Sequence, residues 1–117
     1  MKSWNKDLYI ARQLNVETNE YGVDVVTYEE PKRYRFNYQP ANGDSDVLAY
    51  GERVQRMYKM LIPYKVYYNY FNEGDLVYAD GITPENETYN GEKANYRVYS
   101  IRPQHLMIAI YFEKMQK

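Results

Sequence analysis

Apolar residues recur at every second position through most of this chain, and no stretch sustains a convincing helical period, which restricts the fold to sheets. The C-terminal half gives the plainest case. Phe71-Asn72-Glu73-Gly74-Asp75 is turn chemistry entering a Leu76-Val77-Tyr78 strand, and after a polar loop Ala94-Asn95 enters a second strand at Tyr96-Arg97-Val98. Short strands divided by such turns outline a small antiparallel barrel. The expected fold class is therefore all-β, a small antiparallel β-barrel with long loops and one short helical turn.

With 117 residues the chain forms one expected domain, residues 1–117, able to bury roughly two thirds of its unfolded surface. Its aromatic set is 16 Tyr against 3 Phe and 1 Trp, which suits half-buried sheet faces and protein interfaces, where a ring is covered and its hydroxyl stays wet or finds a partner. Lys and Arg number 15 and Asp and Glu 16, so the net charge of -1 supplies no overall attraction to nucleic acid or an anionic membrane. The absence of cysteine excludes disulfides, thiol catalysis and Cys-ligated metal. Met1 to Asp7 lacks the apolar core of a signal peptide and no run has the length of a membrane span, so an unexported chain without membrane contact is expected.

Along the chain, Lys6–Arg12 reads as a strand with Leu8 and Ile10 on one face. A turn at Asn19-Glu20-Tyr21-Gly22 precedes a second strand, Val23–Tyr28, and Pro31 interrupts the ladder. Arg33–Tyr38 alternates cleanly, with Tyr34, Phe36 and Tyr38 on one face. Gln39–Asp46 is loop chemistry, after which Asp44 or Ser45 caps a short helical turn through Val47-Leu48-Ala49. Arg53–Ile62 is expected to be one long amphipathic strand, although Val54, Met57, Met60 and Leu61 also fit a helical face. Asp80–Lys93 is a long loop, a length usually functional or mobile in a compact domain. Tyr96–Ile101 and Leu106–Phe112 close the fold, joined through Arg102-Pro103-Gln104-His105.

Chemistry is thin. The only histidine, His105, has no Ser or Cys elbow near it and is expected to be structural or solvent-facing. Asp75, Asp80, Glu85 and Glu87 lack the spacing of a calcium loop, so no metal or cofactor is expected. Asn86-Glu87-Thr88 matches a glycosylation acceptor by chance. Lys32, Arg33, Arg35, Arg53, Arg56 and Lys59, interleaved with Tyr34, Phe36, Tyr38 and Tyr58, define a possible stacking platform for single-stranded nucleic acid. Strand parity opposes it, because Tyr34 and Phe36 share a face that excludes Arg33 and Arg35. No nucleophile, base and orienting group can be assembled, so no enzyme is expected.

The order of motifs nevertheless resembles a known family. Tyr34 to Pro40, Asp46 through Tyr50-Gly51, Phe71 to Tyr78, Ala94 to Val98, and Met107-Ile108-Ala109-Ile110-Tyr111 follow one another as in the head-closure proteins of long-tailed bacteriophages, also called stopper or head-tail connector proteins. The resemblance spans most of the chain and departs from the family in its high tyrosine content.

That resemblance implies a virion structural protein of the phage or prophage neck. It would form a homo-oligomeric ring, assembled in the bacterial host cytoplasm, that closes the portal channel after DNA packaging and docks the tail. The implied partners are further copies of the chain, the portal–adaptor connector, tail terminator or tail proteins and, transiently, packaged double-stranded DNA. The family's channel plug is best matched by Tyr38–Tyr50, with Gln39, Pro40, Asn42, Gly43, Asp44 and Asp46 as candidate residues. Asp44 and Asp46 would repel phosphate and favour passage. The loop Asp80–Lys93, with Asp80, Pro84, Glu85 and Tyr89, is the candidate contact between rings. The alternatives are a tail terminator or other neck ring protein, and a small barrel that binds single-stranded nucleic acid.

Overall fold

A computed structural model describes residues 6–41 and 43–115, with the side chains of Asp44 and Ser45 left out of the description. The chain is mostly antiparallel β, built on a curled, half-barrel sheet. Its strands are β1 (Lys6–Ala11), β2 (Gln13–Thr18), β3 (Asp24–Tyr28), β4 (Lys32–Phe36), β5 (Tyr38–Pro40), β6 (Met57–Pro63), β7 (Leu76–Tyr78), β8 (Tyr96–Gln104) and β9 (Met107–Lys114). Seven of them form one sheet in the order β4-β1-β7-β8-β9-β6-β5, and β2 and β3 form a separate two-stranded ribbon. Two short helices, α1 (Asp44–Tyr50) and α2 (Tyr64–Tyr67), and a 3₁₀ turn at Gly51–Arg56 complete the chain.

The period-2 pattern explains the curl. Leu8 and Ile10 of β1, Val77 of β7, Tyr96 and Val98 of β8, Ile108, Ile110 and Phe112 of β9, and Met60 and Ile62 of β6 all point to one inner core. The opposite face is covered in two places. Ala11, Leu76, Tyr78 and Ala94 are buried beneath Tyr9, Tyr28 and Met115, and Met57, Ala109 and Tyr111 are buried with Ala41 and Tyr50. β9 is consequently buried on both faces from Ile108 to Phe112.

One continuous extended segment brings the two sheet edges together. β4 pairs with β1, Tyr34 opposite Leu8, whereas β5 pairs with β6, Tyr38 opposite Met60. The expected single strand Arg33–Tyr38 is therefore two, and the chain changes partner at Asn37. Its expected inward face holds: Tyr34 and Phe36 pack on the core and Tyr38 is buried in it.

Three expectations are corrected. The long strand expected from Arg53 begins only at Met57; Gly51, at φ 59, stops α1, and Gly51–Arg56 wraps as a 3₁₀ turn with no buried residue. Glu52 in its first turn and Arg53 and Arg56 in its last suit the dipole of that turn. The helical turn is longer than expected, and its N-cap is Gly43 rather than Asp44 or Ser45. β8 runs on through Pro103 to Gln104, leaving a tight His105-Leu106 turn with His105 at φ 53 and exposed.

After Pro63 the Tyr-rich segment does not continue as a strand but turns into α2. Tyr67, Tyr70 and Phe71 then pack on β4: Phe36 meets Tyr67 at 5.3 Å, Tyr34 meets Phe71 at 5.5 Å, and the hydroxyls of Tyr34 and Tyr70 lie 3.0 Å apart.

Gly91 tests the outer packing. Its φ is +94, and an added Cβ would lie 2.6 Å from Leu76 Cδ1, whereas Gly22, at φ +76, has open space around it. Gly91→Ala is expected to destabilise the chain by about 2–3 kcal/mol and Gly22→Ala by about 1 kcal/mol in urea titrations. Equal losses would contradict this packing.

Candidate interaction surfaces

Four surfaces can be built from these elements: the ribbon, the segment around α1, the loop after β7, and a basic recess beside the 3₁₀ turn.

The ribbon continues β1 and β4 outward. Its register sets Val16 opposite Val26, Glu17 opposite Val25 and Thr18 opposite Asp24, with a bulge between Gln13 and Asn15. Asn19 closes the tip, its side chain accepting the N–H groups of Tyr21 and Val23 at 2.9 and 3.0 Å. The base is firmly held. Asp75, fully buried, accepts Gln13 N–H and Asn72 N–H at 2.8 Å each, and Arg12 pairs with Glu29 at 3.4 Å. Burial pushes the Asp75 carboxyl above its ordinary range, against the pull of those two N–H groups. From Leu14 to Thr27 every residue is exposed. The strand β2 was not expected from the sequence, although Leu14 and Val16 alternate with Asn15 and Glu17; neither of its faces is buried.

The segment Tyr38–Tyr50 is not a free loop. Gln39 and Pro40 lie in β5, paired with Lys59 and Tyr58, and Ala41 N–H donates to Met57 O at 3.0 Å. Asp46 is 4% exposed and turned inward, so it cannot present a repelling charge to a channel as the sequence suggests. Tyr111 donates its hydroxyl proton to Asp46 at 2.6 Å, Lys59 Nζ lies 3.7 Å away, and the other carboxylate oxygen accepts Gly43 N–H at 3.3 Å. Gln39, Pro40 and Gly43 are exposed, while Asn42 and the side chain of Asp44 lie outside the described residues. Lys6, Asn37, Tyr38, Gln39 and Pro40 line an open hollow where the sheet edges meet.

The loop after β7 is irregular in backbone yet densely bonded. Asp80, at φ 59, accepts the hydroxyls of Tyr58 and Tyr96 at 2.9 Å each, and its N–H donates to the Tyr38 hydroxyl at 3.2 Å. Asn95 bonds both backbone groups of Ala79. Tyr78 donates to Glu87 at 2.6 Å and accepts Gly91 N–H at 2.8 Å, and Glu87 also accepts Lys93 N–H. Lys93 Nζ donates to Glu85 O. The four acids are thus dispersed rather than gathered for a cation: Asp75 holds the ribbon, Asp80 the core tyrosines, Glu87 this loop, and Glu85 is exposed. Of the candidate contact residues, Glu85 and Tyr89 project into solvent, Pro84 is half-buried, and Asp80 is exposed with both oxygens occupied.

The basic recess, about 420 Å³ in volume, is lined by Arg53, Arg56, Arg97, Glu113, Lys114 and Met115. Arg53 pairs with Glu113 at 3.6 Å and lies over the Tyr99 ring at 4.8 Å. The recess combines parts of the chain that sequence reasoning did not join. The residues of the stacking platform do not form an open face, since Tyr38 is buried in the core and Tyr34, Phe36 and Tyr58 are half-buried against it.

Comparisons with models of known families, with curated proteins and with solved structures find no match to this chain. Among the described residues, no helix is long and apolar enough to cross a membrane.

The buried phenols set the behaviour in alkali. Burial first, and then the neighbouring carboxylates Glu87, Asp80 and Asp46, hold Tyr78, Tyr96 and Tyr111 above the usual phenol value of 10.0. A raised folded-state value means that this stability is complete below the unfolded value and lost as pH rises beyond it. Circular dichroism against pH is therefore expected to show cooperative unfolding above pH 10. Tyr78→Phe is expected to cost about 1–2 kcal/mol at neutral pH and to flatten that alkaline loss. An unchanged pH profile in the variant would contradict it.

Proposed function

We propose that this chain is a ring-forming structural protein of a bacteriophage neck, of the head-closure type, joining the portal–adaptor connector to the tail. The single observation that carries the reading is the exposed ribbon anchored by Asp75 to a compact half-barrel. A two-stranded ribbon with both faces in water is marginal by itself and gains its stability from a partner. A ring needs a different patch on each side of the subunit, and a projecting arm on one side with a basic recess elsewhere meets that need. The motif order from Tyr34 to Tyr111 supports the same reading, and the exposed rings of Tyr21, Tyr68, Tyr89 and Tyr99 suit protein contacts.

Within this reading the channel-facing part of Tyr38–Tyr50 is the exposed edge at Gln39, Pro40 and Gly43. Glu85 and Tyr89 are the contacts to a neighbouring ring. Near-neutral charge keeps the wall from holding DNA that must pass. The work is assembly and closure, with no catalytic step.

A second reading rests on the basic recess, which offers phosphate contacts to a nucleic acid. Co-sedimentation with a portal–adaptor complex from the same genome, run beside single-stranded DNA, separates the two. Binding to the connector without DNA affinity is the expected result. DNA binding that falls steeply with salt, together with no connector binding, would overturn the neck reading.

A further inference from the structure

The ribbon and the recess are complementary, and we propose that the β2–β3 arm of one copy docks on the arginine-lined recess of a second copy. The choice of a second copy as occupant rests on the ring reading above. The chemistry of the two surfaces stands apart from it.

The arm carries acid and apolar side chains together. Glu17, Glu20 and Asp24 lie on it, and no Lys or Arg occurs between Gln13 and Tyr28. Val16 and Val26 face one side as a cross-strand pair, and Val25 faces the other beside Glu17. Leu14 is 52% exposed, Val23 57% and Tyr21, at the tip, 81%. Apolar side chains exposed on both faces of an element with no core of its own mark a contact site. Both ribbon strands also keep an unpaired edge, ready to add to a neighbour.

The recess has the opposite character. Glu113 Oε1 pairs with Arg53 while its Oε2 is buried without a hydrogen-bond partner, and among the described residues no carboxylate lies within ion-pair distance of Arg56, Arg97 or Lys114. Apolar surface accompanies this charge. Met115 lines the recess, and the Tyr99 ring lies under Arg53 at 4.8 Å. Acidic arm on basic recess would match charge to charge and apolar side chain to apolar side chain. Because arm and recess are different patches of one subunit, the contact is heterologous. It repeats head to tail and closes into a ring when the rotation allows.

Sedimentation velocity of the full chain over a range of protein and salt concentrations tests this. The intact chain should associate beyond dimers as concentration rises, and less so at high salt. The charge reversals Glu17→Lys with Glu20→Lys, and separately Arg56→Glu with Lys114→Glu, change exposed residues and should each weaken association by about tenfold or more. All four together should restore it, which a merely misfolded variant cannot do. A chain that stays monomeric throughout, association indifferent to either reversal, or no recovery in the combined variant would each overturn the proposal. Failure of the neck reading shows separately. Restored association without connector binding leaves the arm contact standing and removes the phage assignment, whereas connector binding by a chain whose reversals do not compensate removes only the arm contact.

Discussion

β9 is the strand on which the rest of the molecule depends. It pairs with β6 along seven residues, Met57–Pro63, and with β8 from Tyr96 to Gln104, and both its faces are apolar. A strand buried on both faces needs a layer on each side. Curling the sheet supplies the inner layer, where Ile108, Ile110 and Phe112 meet Leu8, Met60 and Val98. The outer layer comes from α1, whose Tyr50 packs on Tyr111 at 4.8 Å while Asp46 receives the Tyr111 hydroxyl. The segment that resembles a channel loop is thereby committed in large part to covering β9.

Tyrosine makes this arrangement possible. Tyr38, Tyr58, Tyr96 and Phe112 pack ring against ring at 5.0–5.6 Å, burying area that phenylalanine could bury equally well. The hydroxyls add what phenylalanine cannot, since three of them converge on the backbone and carboxylate of Asp80. Core and loop are fixed by the same residues. The loop after β7 therefore presents Glu85 and Tyr89 from a bonded frame, and the ribbon is left as the extended element without such support.

Strands with one buried face were legible in the sequence. Leu8 and Ile10 and the Tyr96–Val98 entry follow from parity, because burial and alternation share the same period, whereas β9, buried on both faces, shows instead as a continuous apolar run. Parity failed where burial did not act on it. β2 lies outside the core: Leu14 and Val16 alternate with Asn15 and Glu17, yet neither face is buried, so this short pattern does not report a core-facing strand. The run after Pro63 carries tyrosines close enough together to imitate a strand, yet Tyr64–Tyr67 forms a helical turn, with Tyr67 and Phe71 stacked. The basic recess joins the 3₁₀ turn, β8 and β9, and no linear pattern links Arg56 to Arg97 and Lys114.

The proposed function and the arm contact both require a half-barrel that carries an arm whose partner lies outside the subunit. Amide hydrogen exchange, followed residue by residue in the monomer and then in the assembled state, addresses that requirement directly. The account predicts fast exchange from Leu14 to Thr27 in the monomer, slow exchange in β8 and β9, and protection that appears in the arm on assembly. An arm already protected in the monomer, or one that still exchanges freely in the assembly while Asp80–Lys93 alone becomes protected, would contradict it.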